Sequence, residues 1–329
     1  MTLMIRISDW ATLLPQAFLY VRGPTLLDMT IYYLLLGGVL SGWCLLPERR
    51  RWSLATVGCL ALFYLCRWQI DFHSARLTIL PLNGALSIFV RAPAMGDDLL
   101  IDPGNTNSVQ LTTKRYLRAQ GVNVLRQMVL THGDVRHVGG ATLVADLFGV
   151  KQVCASRARF RSAVYRRAIN RFNEGPCVLR TVCLNDRIGC WQVLHPDRDA
   201  TFPQADDSAM VLKGNFKGTR VLLLSDLGAR GQKALMDRAV DLRADIVVTG
   251  LPSGGEALGD PLLEAIQPRL IIVADSDYPS WERAPPKLHQ RLAAKKIPVL
   301  YTQTAGATTI NFSRGCWKIC LMHSDLATN

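Results

Sequence analysis

In the segment LTHGDVRHVGGA, residues 130–141, His132, Asp134 and His137 fall within six positions. Two neutral imidazole nitrogens and a carboxylate at that spacing suit a borderline divalent ion such as zinc or manganese. The segment follows the apolar run RQMVL and leads into Gly139-Gly140. A buried strand that stops at Thr131 would hold these side chains on a rigid edge, and the glycines let the next helix start close by. Arg136 stands in the middle of the set. Repulsion between a guanidinium and a divalent ion at about 4 Å amounts to several kcal/mol at an effective dielectric of about 20. Arg136 must therefore point away or take the space of one ion. Taken alone, the same spacing also suits a turn holding a hydrogen-bonded histidine pair.

A metal centre of this kind needs strands that end at one rim. From residue 77 the chain alternates short apolar runs with turns and amphipathic segments. LTILPL and LSIFVRAP read as paired strands about Asn83-Gly84, DDLLIDPG as a strand ending in a turn, and SVQLTTKRYLRAQG as a helix closed by Gly121. RQMVLTH and KQVCA read as buried strands flanking the helix of HVGGATLVADLFG. In the second half VLRTVCL, WQVLHP, SAMVLKGNF and TRVLLLSD read as strands, the last two joined over Lys217-Gly218. ADIVVTG, RLIIVAD, IPVLYTQ and ATTINFS follow, interleaved with helices. Two strand-rich halves, each followed by helices, predict two sheets packed together with helices outside.

On these residues the chain resembles the metallo-β-lactamase fold, whose HxHxDHxGG signature LTHGDVRHVGGA follows. It is more closely similar to the C-terminal domain of ComEC-type DNA-uptake channel proteins, in which Asp takes the second ligand position. LLIDPGN, QADDSAMVLKGNFKGTRVLLLSDL, RLIIVADSDYP and KLHQRLAAKKIPVLYTQTAGATTI carry the likeness over residues 75–315. The resemblance implies an α/β fold, a metallo-β-lactamase-like αββα sandwich preceded by a transmembrane helical hairpin. It implies a divalent zinc or manganese ion on His132, Asp134, His137 and Asp226, with Asp102 orienting a ligand from behind. Asp134, Arg136 and Asp226 are then the expected catalytic residues, Arg136 binding the scissile phosphate or stabilising the leaving charge. The departures are Arg136 itself, which replaces an Asp, LPSGGE in place of a later His-His-Gly-Ser stretch, and PLNGA in place of an opening Gly-Gln-Gly-Asp. Ser253 or Glu256 would have to substitute for the missing imidazole. The surviving residues suit one ion; a two-metal clamp on a phosphodiester wants more.

Upstream, residues 26–46 hold one charge in 21 positions, the length needed to cross a bilayer core. Residues 53–66 are shorter, but Trp52 and Trp68 flank them as interfacial anchors. Arg49, Arg50 and Arg51 lie between the two runs and favour a cytoplasmic loop. A hairpin spanning about 26–46 and 52–68 would place both termini outside a bacterial inner membrane; a single span reverses that. The expected organisation is a membrane segment over 1–71, a metallo-β-lactamase-like domain over 72–322, and a tail over 323–329. The first apolar run starts too late for a cleavable signal.

The 329 residues carry a net charge of +12, and nine basic against two acidic residues lie between Lys151 and Arg187. RARFRSAVYRRAINRF reads as a helix with Arg157, Arg161, Arg166, Arg167 and Arg171 on its polar side. Such a face is solvated, meets anionic lipid, or binds phosphates. The nine cysteines show no CxxC or Cys-His zinc spacing. His195 reads as structural, and Asp206 and Asp207 as capping residues. Three functions follow: a metal-dependent nuclease acting on single-stranded DNA, a catalytically degenerate domain that binds DNA, or a domain that docks on the channel portion of a transporter.

Overall fold

The computed structural model describes residues 4–6, 10, 19–43, 46–82, 84–92, 98–238 and 240–322. Asn83, His323 and the expected tail lie outside the described residues. The chain divides into two compact units, residues 1–73 with 115–123, and residues 74–114 with 124–329.

In the first unit, helix α1 (Leu26–Leu40) opens with a capping box, in which the Thr25 hydroxyl accepts from Asp28 N and the Asp28 carboxylate accepts from Thr25 N. It closes at Ser41, ahead of Gly42 in the left-handed region (φ 70°). Fifteen residues make a rod of roughly 22 Å, short of the roughly 30 Å hydrocarbon core. Helix α2 (Arg50–Phe72) runs for 23 residues, and its Arg50–Asp71 stretch is the one described helix long and apolar enough to cross a membrane. This inverts the expectation that the first run is the full-length span. The Ser41-Gly42 stop truncates the first helix, whereas the second continues through polar residues at both ends. Asp28 accepts hydrogen bonds from Arg67 Nη1 at 2.7 Å and Tyr64 OH at 3.1 Å, so a carboxylate near the start of α1 is tied to the later part of α2.

The second unit holds two sheets. The strands are β1 (Ala75–Leu82), β2 (Ala85–Arg91), β3 (Leu99–Ile101), β4 (Gln127–Leu130), β5 (Gln152–Ser156), β6 (Val178–Val182), β7 (Arg187–Ile188), β8 (Trp191–His195), β9 (Val211–Phe216), β10 (Thr219–Ser225), β11 (Ile246–Thr249), β12 (Leu270–Val273), β13 (Val299–Tyr301), β14 (Thr308–Ser313) and β15 (Cys316–Leu321). One sheet runs β15-β14-β1-β2-β3-β4-β5-β6 and the other β13-β12-β11-β10-β9-β8-β7. β3 to β6 are parallel, as are β10 to β13, so each sheet gathers several strand C-termini at one edge. Open α/β sheets place their sites at such edges. The hairpin over Lys217-Gly218 forms as expected, both residues at positive φ. Strands β7 and β15 were not evident from the sequence pattern.

Alternation within the strands sorts the core. Leu77, Ile79, Ile88, Ile101 and Val129 of one sheet meet Trp191, Leu212, Val221, Leu223, Val248 and Ile272 of the other in a single buried cluster. On the opposite face of the second sheet Leu222, Leu224, Val247 and Ile271 form another cluster with Leu235, Leu262 and Leu288. These last three come from helices in residues 229–236, 260–266 and 286–294. The sandwich with outer helices agrees with the sequence expectation.

The arginine-rich segment does not form one helix. It splits at Ser162, whose hydroxyl accepts from Tyr165 N and caps a helix over Ala163–Glu174. Residues 157–161 form no helix or strand, and Phe160 turns inward, 6% exposed and edge-on to Tyr165 at 4.9 Å. Arg157 and Arg161 therefore lie on a loop, and only Arg166, Arg167 and Arg171 are helical.

Trp191 is 1% exposed and packs edge-to-face on Phe216 at 5.2 Å between the sheets. Trp191→Ala should cost roughly 3–5 kcal/mol in denaturant unfolding of the purified protein. A loss below about 1 kcal/mol would show that the sheets do not meet there.

Candidate metal centre

Strand β4 stops at Leu130, and the next seven residues build one side of the centre. Thr131 joins the two sheets. Its carbonyl accepts from Met210 N at 3.0 Å, and its Oγ lies 2.9 Å from Ser225 Oγ at the end of β10. The same Oγ is 2.5 Å from Asp102 Oδ2 and 2.9 Å from His132 Nδ1. Asp102 itself sits at φ 52°, beyond β3, and its other oxygen accepts from Thr131 N at 2.8 Å.

This network fixes the protons. A carboxylate only accepts, so the single Thr131 hydroxyl proton goes to Asp102. His132 must then donate from Nδ1 to Thr131 Oγ, which leaves a lone pair on Nε2. That Nε2 is buried and has no hydrogen-bond partner among the described residues. Burial, and then the neighbouring His137 charge, hold the His132 imidazole below its ordinary pKa. It is a neutral ring presenting one unused acceptor.

His137 is different. Its Nδ1 lies 3.2 Å from Asp102 Oδ2 and its Nε2 3.0 Å from Asp226 Oδ2, all three side chains being buried. Burial disfavours the charged ring, but the Asp226 carboxylate and then the Asp102 hydrogen bond outweigh it and push His137 up to about 10. Asp226, for its part, would be raised by burial and is instead held low by His137. Its second oxygen, Oδ1, has no partner among the described residues. That oxygen points to Gly250 closely enough that a Cβ there would overlap it, so glycine is required at the end of β11.

Two buried acceptors without donors are costly in a folded protein. Each of these atoms is open to a cation, and a donor set of imidazole and carboxylate is that of zinc or manganese. Asp102, His132 and His137 also offer ligand atoms within 4.8 Å of one another. The residues present fit a divalent ion.

Not every expected ligand takes part. Asp134 caps the one-turn helix Val135–Val138, accepting from Arg136 N at 2.8 Å. Its second oxygen pairs with Arg136 Nε at 3.1 Å and Nη2 at 2.5 Å. Burial opposes this, but the Arg136 hydrogen bonds hold Asp134 down to about 2. The sequence expectation that Asp134 binds metal is corrected here: its carboxylate serves Arg136. Asp102, expected only to orient a ligand, stands among the candidate ligands. Arg136 also pairs with Glu282, a residue that the sequence reading missed because it comes from a distant turn.

Neither proposed substitute for the missing imidazole acts as one. Ser253 N donates to Asp206 Oδ2 at 2.7 Å, and Glu256 pairs with Lys287 at 2.6 Å. Asp207 accepts from Arg230 N and Gly231 N and so caps the helix over Ala229–Met236, as expected. His195 donates from Nε2 to Asp207 O at 2.8 Å and accepts from Arg238, a structural role.

Beside the centre lies a basic cavity of 710 Å³ at the C-terminal ends of β5 and β6, lined by Arg157, Arg159, Arg161, Arg166, Tyr165 and Asn170 among others. No carboxylate lines it, and the four arginines make no ion pair among the described residues. Phe160, also on its wall, abuts Gly133 of the metal-centre loop. Arg171 is instead bound to Asp146 at 2.6 Å, and Arg167 is not part of the lining.

Residues 80–168 match the family model of the Metallo-beta-lactamase superfamily. The chain is also similar to three curated proteins of the ComEC type. It is 22% identical to ComE operon protein 3 of Bacillus subtilis over 268 residues, which are 75% of this chain and 34% of that protein. It is 24% identical to Recombination protein 2 of Haemophilus influenzae over 255 residues, 74% of this chain and 29% of that protein. Competence protein ComA of Neisseria gonorrhoeae is 22% identical over 244 residues, 74% of this chain and 33% of that protein. The chain thus spans about a third of the length of these curated relatives. Among solved structures, Igni18, a metallo hydrolase from Ignicoccus hospitalis, aligns with TM-score 0.49 and 15% identity over 72% of this chain and all of that one.

Two measurements probe the centre. His137 has a folded pKa above its ordinary value, so its stabilising charge is complete below about pH 6.5 and is lost as pH rises through about 10. The thermal midpoint of chelator-treated protein should fall between pH 7 and 10 more steeply than that of His137→Gln; parallel curves would contradict the imidazolium. Thr131→Val should weaken zinc or manganese binding by roughly 10–100-fold in calorimetry, because His132 loses its fixed tautomer. Unchanged affinity would remove Thr131 from the design.

Proposed function

We propose that this chain is the metallo-β-lactamase-like portion of a membrane protein for DNA uptake, and that it grips a single DNA strand and cuts its backbone at a one-ion centre. The observation that carries this reading is the carboxylate-free arginine cavity beside His132. Several other cations of the domain have carboxylate partners: Lys213 with Asp241, Arg220 with Asp245, Arg283 with Asp277, Lys287 with Glu256 and Arg291 with Asp260. Four unmatched guanidiniums around one cavity call for an anionic ligand of repeating charge. The cavity is pocket-sized, room for a short stretch of single strand rather than a duplex. The similarity to Recombination protein 2 and to Competence protein ComA favours DNA as that polyanion.

A divalent ion held by His132 and Asp226 would supply Lewis acidity toward a phosphoryl oxygen. The chain's own part is to seat the backbone on Arg157, Arg159, Arg161 and Arg166 and to aim the neutral His132 ring. A second reading, DNA binding without hydrolysis, draws on the engagement of both His137 nitrogens by carboxylates and of Asp134 by Arg136. In either reading α2, with the shorter α1 beside it in sequence, anchors the chain in a bacterial inner membrane and meets a channel portion. As a hairpin, the pair would leave the domain extracytoplasmic.

The full chain, in detergent, should bind a fluorescent oligo-dT with an affinity that falls linearly on a log–log salt plot. Arg161→Gln and Arg166→Gln should each weaken binding and lower the slope by about 0.7. Manganese-dependent cleavage that disappears in His132→Ala supports the nuclease, and binding without cleavage in any divalent ion supports the second reading. A protein that ignores oligo-dT at low salt sinks both.

A further inference from the structure

Glu282 is 1% exposed, on a turn over Ser280–Glu282 whose neighbour Trp281 is 75% exposed. The turn is rigid: Glu282 N donates to Pro279 O, and Glu282 O accepts from Ser276 N, both at 2.9 Å. Its side chain lies where a Cβ on Gly84 would be, and Gly84 sits at φ 79°, so the start of β2 leaves room for it. A buried glutamate is unfavourable without a specific cation. The cation here is Arg136, whose Nη1 contacts Glu282 Oε1 while Nε and Nη2 contact Asp134 Oδ2. All three guanidinium nitrogens are committed to two carboxylates that come from residues 148 positions apart.

We propose that Asp134 and Glu282 clamp the Arg136 guanidinium as a permanent, covalently tethered second cation of the metal centre, so that the centre takes one divalent ion and not two. This rests on the single-ion reading of His132 and Asp226. The planar fork matches carboxylates in a way that an ammonium does not. It removes Asp134 from the ligands available to a metal. Glu282 is a positioning residue: it touches neither ion nor substrate but holds the arginine that excludes an ion.

The test is the number of manganese or zinc ions per chain, by elemental analysis after equilibrium dialysis of the full chain, with circular dichroism as a fold control. Wild type should hold one ion. Arg136→Met should hold one more than wild type, and the extra ion should vanish in Arg136→Met with Asp134→Asn. Arg136→Lys should show a smaller gain or none. Should Arg136→Met not fold, Glu282→Gln keeps the volume and loosens one arm, and its second-ion affinity should rise about tenfold or more. Two ions in wild type, or folded Arg136→Met and Glu282→Gln with wild-type ion binding, overturn the proposal. The two ideas fail separately. If wild type binds none and Arg136→Met binds one, the single-ion reading is lost and the clamp stands. If both bind one, and His132→Ala none, the clamp is lost and the single-ion reading stands.

Discussion

Carboxylates drawn out of water need positive charge, and that requirement organises this protein. Asp102, Asp226 and Glu282 are all but fully buried, and Asp134 is about four-fifths covered. The His137 proton answers Asp102 and Asp226, and the Arg136 guanidinium answers Asp134 and Glu282. Within the metal-centre loop and β10 rim, His132 Nε2 and Asp226 Oδ1 have no hydrogen-bond partner among the described residues, and Glu282 Oε1 meets Arg136 as an ion pair alone. Buried acids, an imidazole and a guanidinium are thus gathered beside the two acceptors that a cation would engage.

The fold supplies the rim on which these charges meet. Asp102, Thr131 and Asp226 each follow the end of a strand, β3, β4 and β10, and the two sheets are stitched by Thr131 and Ser225. Thr131 touches Asp102, His132 and Ser225 with one oxygen, so the residue that orients His132 also joins the two sheets. The rim of the centre is in this way built on contacts between the sheets. The basic cavity adjoins the same loop, since Phe160 on its wall lies against Gly133.

Much of this was legible in the sequence. The strand–HxDxxH–GG–helix pattern located the loop, and the family resemblance brought Asp102 and Asp226 to it across a long separation. The sandwich followed from the alternation of apolar runs. What could not be read was where charges go when several acids crowd one place. Asp134 has the position of a ligand but the shortest reach to Arg136, two residues on, and local hydrogen bonds won. Glu282 carried no signal, because a glutamate between Trp281 and Arg283 in a turn reads as surface. The break at Ser162 was visible as a capping residue but was outweighed by the run of arginines around it. For α1, helical length was set by Ser41-Gly42 and not by where hydrophobic composition ends.

The most direct test of this account is anomalous scattering at the metal edge from crystals of the zinc- or manganese-loaded protein. It predicts one peak, within coordination distance of His132 and Asp226, with Arg136 still lying between Asp134 and Glu282. Two peaks with Arg136 swung into solvent, or a lone peak on Asp134, would contradict it.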